Sequence, residues 1–122
     1  MRSSDPSCLF CKIIAGEIPS PRVYEDSEFI AIRDIRPQAQ THLLVMPKAH
    51  IASLESAFPE SGEADAKLVG KLFQAGTNIA RGNGLLPGGF RAVINTGQDG
   101  GQTVFHLHLH ILGGKKLENH FG

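Results

Sequence analysis

The sequence carries no net charge, since twelve Lys and Arg balance twelve Asp and Glu over 122 residues. No one-signed field spreads over such a surface, which argues against broad capture of nucleic acid or of an anionic membrane. Long apolar runs are also missing, and none approaches the ~20 residues that cross a bilayer. The start, MRSSDPSC, lacks the apolar stretch of a secretory signal. Cysteine is scarce at two residues, too few for a disulfide scaffold. With no leader, that points to a reducing compartment, and the expectation is a cytoplasmic protein. No internal repeat or low-complexity tract is seen. What remains is ordinary: 41% hydrophobic and 20% charged residues, enough for one compact domain with a modest core over residues 1–122.

Local patterns set out the elements. Residues 1–6 read as a disordered arm and residues 113–122 as a polar tail. Leu9, Phe10, Ile13 and Ile14 lie close to helical spacing, with Ser7 placed to cap the turn and Gly16 and Pro19 placed to end it. RVYEDSEFIAIRDI reads as a β-hairpin turning at Glu25-Asp26-Ser27. Pro37 makes RPQAQ a loop, and THLLVMP is a buried strand ended by Pro47. A long helix is predicted from near Ser61 to Gly82, with Ala64, Leu68, Leu72, Phe73, Ala75, Ile79 and Ala80 on one stripe. Its Gly70 and Gly76 either weaken it or admit a close neighbour. FRAVIN and VFHLHLHIL are the last two strands, joined by the glycine-rich loop TGQDGGQT. The fold class is α+β: a mostly antiparallel sheet of about five strands, one long helix and a short N-terminal helix.

Three of the six histidines fall in VFHLHLHIL at every second position. In a strand, His106, His108 and His110 would share one face, ~7 Å apart. Phe105, Leu107, Leu109 and Ile111 would share the other and pack on the long helix. Three imidazoles in register bring no packing advantage, so a chemical use is the stronger reading. They fit either a catalytic zinc with an open fourth position or a histidine nucleophile with helpers. The preceding loop offers Gly97, Gly100 and Gly101 as sources of exposed N–H groups, and Asn95 and Thr103 as polar side chains. That composition suits an oxyanion such as phosphate. Cys8 and Cys11 form a C-x-x-C pair, which by itself is half a metal site, a redox motif or two small buried hydrophobes.

HLHLHIL matches the His-X-His-X-His-X-X signature of the histidine triad superfamily. CLFCKIIAGEIPSPRVYED, IRDIRPQAQTHLLVMPKAHI and NTGQDGGQTVFHLHLHILGGKK resemble, in order, its Hint branch. The resemblance implies a nucleotide-binding hydrolase that cleaves the P–N bond of purine nucleoside phosphoramidates. It also implies a homodimer whose two sheets join into one of about ten strands. By the same resemblance His108 is the nucleophile that becomes nucleotidylated, and His110 stabilises charge on the phosphate. Thr103, Asn95 and the backbone of Gly101 touch the phosphate and leaving group. His42 orients the triad from behind, and Asp34 binds the ribose hydroxyls. Phe10, Ile13, Ile18, Ile32 and Ile35 form the apolar slot for the base. Read alone, Asp34 is a turn or cap residue and the five apolar positions are core.

Cys8, Cys11, His50 and His106 match a structural Zn2+ site of several superfamily members, which would close tetrahedrally and leave no position for a catalytic water. Where well-known Hint enzymes carry a C-terminal Trp, this chain has no Trp and ends in LENHFG, with His120 and Phe121 in the corresponding region. Two alternatives stay open. One is a dinucleoside polyphosphate hydrolase, as in the Fhit branch, which has Gln where this chain has Leu112. The other is a non-catalytic nucleotide-binding regulatory protein.

Overall fold

A computed structural model describes residues 4–118. The elements in chain order are α1 (Leu9–Ile14), β1 (Arg22–Glu25), β2 (Phe29–Arg33), β3 (Thr41–Pro47), α2 (Leu54–Ala57), α3 (Ala66–Gly82), β4 (Phe90–Val93) and β5 (Leu109–Gly113). The five strands form one antiparallel sheet in the order β1-β2-β3-β5-β4.

Alternation along the central strands divides the core in two. Phe29 and Ala31 of β2, with Leu43 and Val45 of β3, face α3 and meet its Val69, Leu72, Ile79 and Ala80. Ile30, Ile32, Leu44 and Met46 face the other way and pack under α1 with Phe10 and Ile13. The sheet is therefore covered on both faces, by the long helix on one side and the short helix on the other.

Four details differ from the sequence reading. The long helix begins at Ala66 rather than near Ser61, so Ala64 lies outside it. The stripe it buries includes Val69 and excludes Phe73, which is exposed. The cap of α1 is Cys8, not Ser7: the Cys8 sulfur accepts the backbone N–H of Cys11 at 3.3 Å. The expected disordered arm is anchored from Asp5 onward, since the Asp5 carbonyl accepts the N–H of Cys8 at 3.0 Å and its carboxylate accepts both N–H and hydroxyl of Ser7.

The largest difference concerns VFHLHLHIL. Only its end is a strand, because β5 starts at Leu109. Pairing with β3 runs from Thr41↔Gly113 to Val45↔Leu109. Two residues further the partner strand reaches Pro47, which has no N–H to give. The free Pro47 carbonyl is taken instead by the side chain of His106, at 2.8 Å from Nε2. The chain before Leu109 runs outside the ladder and is held by Leu107 N–H donating to the Ile51 carbonyl at 2.7 Å. Leu107, Leu109 and Ile111 still join the core under α3, as expected. Phe105 does not, and remains 49% exposed.

Candidate active site and metal centre

Leaving the ladder lets the three triad histidines do different things. His106 is fully buried and donates from Nε2 to the Pro47 carbonyl. A neutral imidazole carries one proton, so its Nδ1 is a bare lone pair. That lone pair points at Cys8 Sγ (3.4 Å), Cys11 Sγ (3.6 Å) and His50 Nδ1 (3.2 Å). His108 donates from Nδ1 to the His106 carbonyl at 2.7 Å, which leaves its Nε2 as the lone pair. His110, on β5, pairs through Nδ1 with His42 Nε2 at 2.9 Å.

The direction of that last bond is set by the backbone. Gln38 N–H donates to His42 Nδ1 at 3.0 Å, so the proton of His42 sits on Nε2 and is given to His110 Nδ1. His110 then keeps its own proton on Nε2. The result is a pair of neighbouring rings, 5.0 Å apart at their centroids, of opposite character: His108 presents a lone pair and His110 an N–H. The ~7 Å spacing expected for a strand face is replaced by ring contact.

Burial keeps these rings neutral. It pushes His110 down to about 4, with further lowering from His108 and His42 and partial relief from Asp34. His108 and His42 are lowered by the same desolvation. Burial likewise brings His106 to about 4, partly countered by its bond to Pro47. Neutrality is what a nitrogen nucleophile needs, because a protonated imidazole has no lone pair to offer.

Asp34, just past β2, is partly buried beside this pair. Its Oδ2 is 3.4 Å from His42 Nε2 and its Oδ1 accepts Arg36 N–H at 2.8 Å. Phe10 and Ile13, one turn apart on α1, pack in one cluster with Ile32, and Ile18 packs against it. The Phe10 ring stands edge-on to His108 at 5.0 Å. These four residues gather on one side of the triad. Ile35 does not join them and is 85% exposed. Phe10, Ile13 and Ile32 are almost wholly buried by protein, so their core role is real whatever else they touch.

The glycine loop is less open than its composition implies. Gly97 N–H goes to the side chain of Gln102 at 2.9 Å, and Gly101 N–H goes to the Gln98 carbonyl at 3.0 Å. Both are therefore spent inside the loop and do not form an exposed N–H cradle. Gly101 sits at φ +84°, a left-handed conformation that favours glycine. Asn95 Nδ2 donates to the Gly100 carbonyl at 2.9 Å, which leaves its second amide hydrogen available. Thr103 is exposed and lines a groove of about 370 Å³ with Asp5, Cys8, Leu9, His50 and Phe105.

Cys8, Cys11, His50 and His106 converge from three separate parts of the chain. Around a tetrahedral Zn2+, with bonds near 2.3 Å to sulfur and 2.0–2.1 Å to nitrogen, S···N edges come to about 3.5 Å and N···N edges to about 3.3 Å. The distances here are 3.4, 3.4 and 3.6 Å for sulfur to nitrogen and 3.2 Å for nitrogen to nitrogen. Both cysteines are free thiols. Burial pushes the Cys11 thiol up, a cost that a bound cation reverses by holding the thiolate. Asp5 backs the cluster from outside, with its N–H on Cys11 Sγ at 3.4 Å and its carboxylate 3.9 Å from His50 Nε2.

Among the described residues, a second convergent group is Asp34, His42 and His110, whose spacing the directed hydrogen bonds already explain. Neither group takes more than one triad histidine, so the three imidazoles do not form a common zinc site. Gln38, Asp5 and Gln102 contribute to this region and were not singled out from sequence, and Pro47 was read there only as the end of a strand. Three of the four act through backbone groups, which leave no trace in residue type. His120 and Phe121 lie outside the described residues.

Comparison with known proteins agrees with this geometry. The family model described as HIT domain matches residues 15–117. The purine nucleoside phosphoramidase of Escherichia coli K12 is 40% identical over 109 residues, covering 89% of this chain and 88% of its own. A histidine triad protein from Clostridium difficile superposes with TM-score 0.89 at 43% identity, covering 98% of this chain and 100% of that one. A Zn-bound histidine triad family protein from Mycobacterium smegmatis superposes with TM-score 0.78 at 38% identity, covering 93% and 78%. An antiparallel five-stranded sheet, a triad split between a Cys/His cluster and a hydrogen-bonded imidazole pair, and a match over most of the length together show that this chain belongs to the HIT domain family.

Proposed function

We propose that this protein hydrolyses the P–N bond of purine nucleoside phosphoramidates through a nucleotidyl-histidine on His108. The observation that carries the reading is the opposed protonation of two touching rings, fixed by the His106 carbonyl on one side and by Gln38 through His42 on the other. His108 Nε2 attacks the α-phosphorus, the P–N bond breaks with its electron pair going to nitrogen, and the amine leaves with a proton taken from solvent, which the hydrolytic water returns in the second step. Water then cleaves the phosphorus–histidine bond and releases the nucleoside monophosphate. His110 Nε2–H faces a charge that grows in both steps, where a preorganised donor has most leverage. Thr103 and the free amide hydrogen of Asn95 bind phosphoryl oxygens beside the turn at Gly101. Asp34 holds the ribose diol, whose two hydroxyls suit two carboxylate oxygens. Phe10, Ile13, Ile18 and Ile32 receive the base, with the exposed Ile35 closing over it.

We also assign Cys8, Cys11, His50 and His106 to a structural Zn2+. The donor set and its near-tetrahedral spacing support this, as does the relative that is Zn-bound. Bound there, zinc would tie α1 to the segment ahead of β5 and would play no chemical part. The chain is further read as a cytoplasmic homodimer that binds neither nucleic acid nor membrane. Strand β4 ends the sheet with one edge unpaired, which fits pairing with a second copy into a ten-stranded sheet. Free cysteines at a metal cluster fit a reducing compartment. No helix among the described residues is long and apolar enough to cross a membrane.

The test is release of a fluorescent amine from an adenosine phosphoramidate, beside diadenosine polyphosphate as competitor substrate. Wild type is expected to turn over the phosphoramidate, with a nucleotide adduct trapped on the His108 peptide by mass spectrometry. His108→Ala is expected to lose more than ~10³-fold in kcat, as removal of a covalent nucleophile does. An inert wild type, or a fully active His108→Ala, rejects the reading.

A further inference from the structure

Residues 102–108 run outside the sheet, yet they must place both Thr103 and His108. With no ladder beside them, their backbone groups need other partners. A single buried side chain partners one of these and ties the segment to two other stretches of chain. Gln102 is 5% exposed. Its Oε1 accepts Gly97 N–H at 2.9 Å, and its Nε2 donates to the carbonyls of Ala52 at 2.7 Å and Val104 at 3.1 Å. Its own backbone N–H donates to the Gly97 carbonyl at 3.0 Å. Three stretches of chain thus meet at one amide: the start of the glycine loop, the connection between β3 and α2, and the segment entering the triad. A primary amide is the uncharged group that offers two donors and an acceptor from one end. Burying it is costly unless all are used, and here they are.

We infer that Gln102 is a positioning residue for the reaction, setting the glycine loop and Thr103 against His108. The inference rests on the reading of this site as a phosphoramidate hydrolase. It locates the effect in the chemical step rather than in folding, because Gln102 itself belongs to neither apolar core. Displacement of reacting groups by about 1 Å can cost ~100-fold in rate.

The experiment compares wild type with Gln102→Met, which keeps the length without polar groups, and Gln102→Glu, whose carboxylate opposes two carbonyls. The readouts are kcat and KM on the fluorogenic adenosine phosphoramidate, the melting temperature, and amide NMR shifts of Gly97 and Leu107. The expected result for Gln102→Met is a folded protein with kcat down about 10- to 100-fold, KM within a few-fold, and both amide signals moved. Gln102→Glu is expected to recover part of its deficit relative to wild type as pH falls, since a protonated carboxyl regains a donor. A folded Gln102→Met with kcat within twofold of wild type overturns the inference, as does a failure of both variants to fold, which would assign the amide to stability. A wild type with no turnover instead defeats the reading of the site, so the two failures are told apart.

Discussion

At the scale of single residues, the proposed function turns on where one proton sits in each of four imidazoles. No side-chain identity specifies that. The tautomer of His108 follows from the His106 carbonyl, and that of His110 from the backbone N–H of Gln38 acting through His42. Replacing His42 by Phe keeps a ring in the buried position but removes the donor to His110 Nδ1. We expect kcat to fall about 10- to 100-fold, in line with the loss of a group that orients a catalytic histidine, with zinc content unchanged on metal analysis. His110 also sets an acid-side limit on stability. Its unfolded value lies near 6.5 and its folded value is about 4, so between those limits the unfolded chain binds a proton that the native one refuses. Its contribution is whole above about pH 6.5 and declines as pH falls toward about 4. Melting temperature should drop through that window, and less steeply in His110→Gln. Equal slopes for the two proteins would remove His110 from the account. Asp34 and Ile35 show the residue-scale limit of sequence reading. They are neighbours in one loop, yet one is partly buried against His42 while the other stands in solvent.

Among the elements, α3 is the clearest case of a pattern that is right in type and wrong in detail. Leu72, Ile79 and Ala80 bury as a helical stripe should, but Val69 joins them and Phe73 faces out. The two glycines inside the helix separate cleanly. A Cβ on Gly76 would meet the buried Leu109 Cδ2 at 2.7 Å, whereas one on Gly70 meets nothing within 4 Å. Gly76 is therefore where β5 approaches the helix, and Gly70 is an exposed helix position with no such neighbour. We expect Gly70→Ala to raise stability by about 1 kcal/mol through helix propensity. Gly76→Val should lower it by about 1–3 kcal/mol through overpacking. In thermal melts each kcal/mol is a shift of roughly 4 °C, and a stable Gly76→Val would contradict the close packing. Strand β5 carries the opposite lesson. Period two in VFHLHLHIL is genuine, but the partner strand runs out at Pro47, and a strand lasts only as long as its neighbour can donate.

Over the whole molecule, the Cys8, Cys11, His50 and His106 cluster joins parts of the chain that share no regular element: the start of α1, the connection after β3, and the segment before β5. A ligand held only by the folded form stabilises it, by about 2.7 kcal/mol at a hundred times its dissociation constant. A strong chelator should accordingly lower the melting temperature of wild type by several degrees and leave Cys11→Ser unmoved. Identical melts with and without chelator would exclude a structural zinc. The charge balance, the order of the five strands, the first helix and the long one, the buried face of β3 and the concentration of histidines in HLHLH were all set by the sequence, because each depends on residue type and short-range period; the single-turn α2 was not among them. The tertiary structure alone decided which histidine joins Cys8, Cys11 and His50, which keeps a lone pair and which keeps a proton. It also decided that Gly97 and Gly101 spend their N–H groups internally and that Gln102 is buried. Those outcomes depend on backbone carbonyls and N–H groups brought together from distant segments, and such groups are the same in every residue that supplies them.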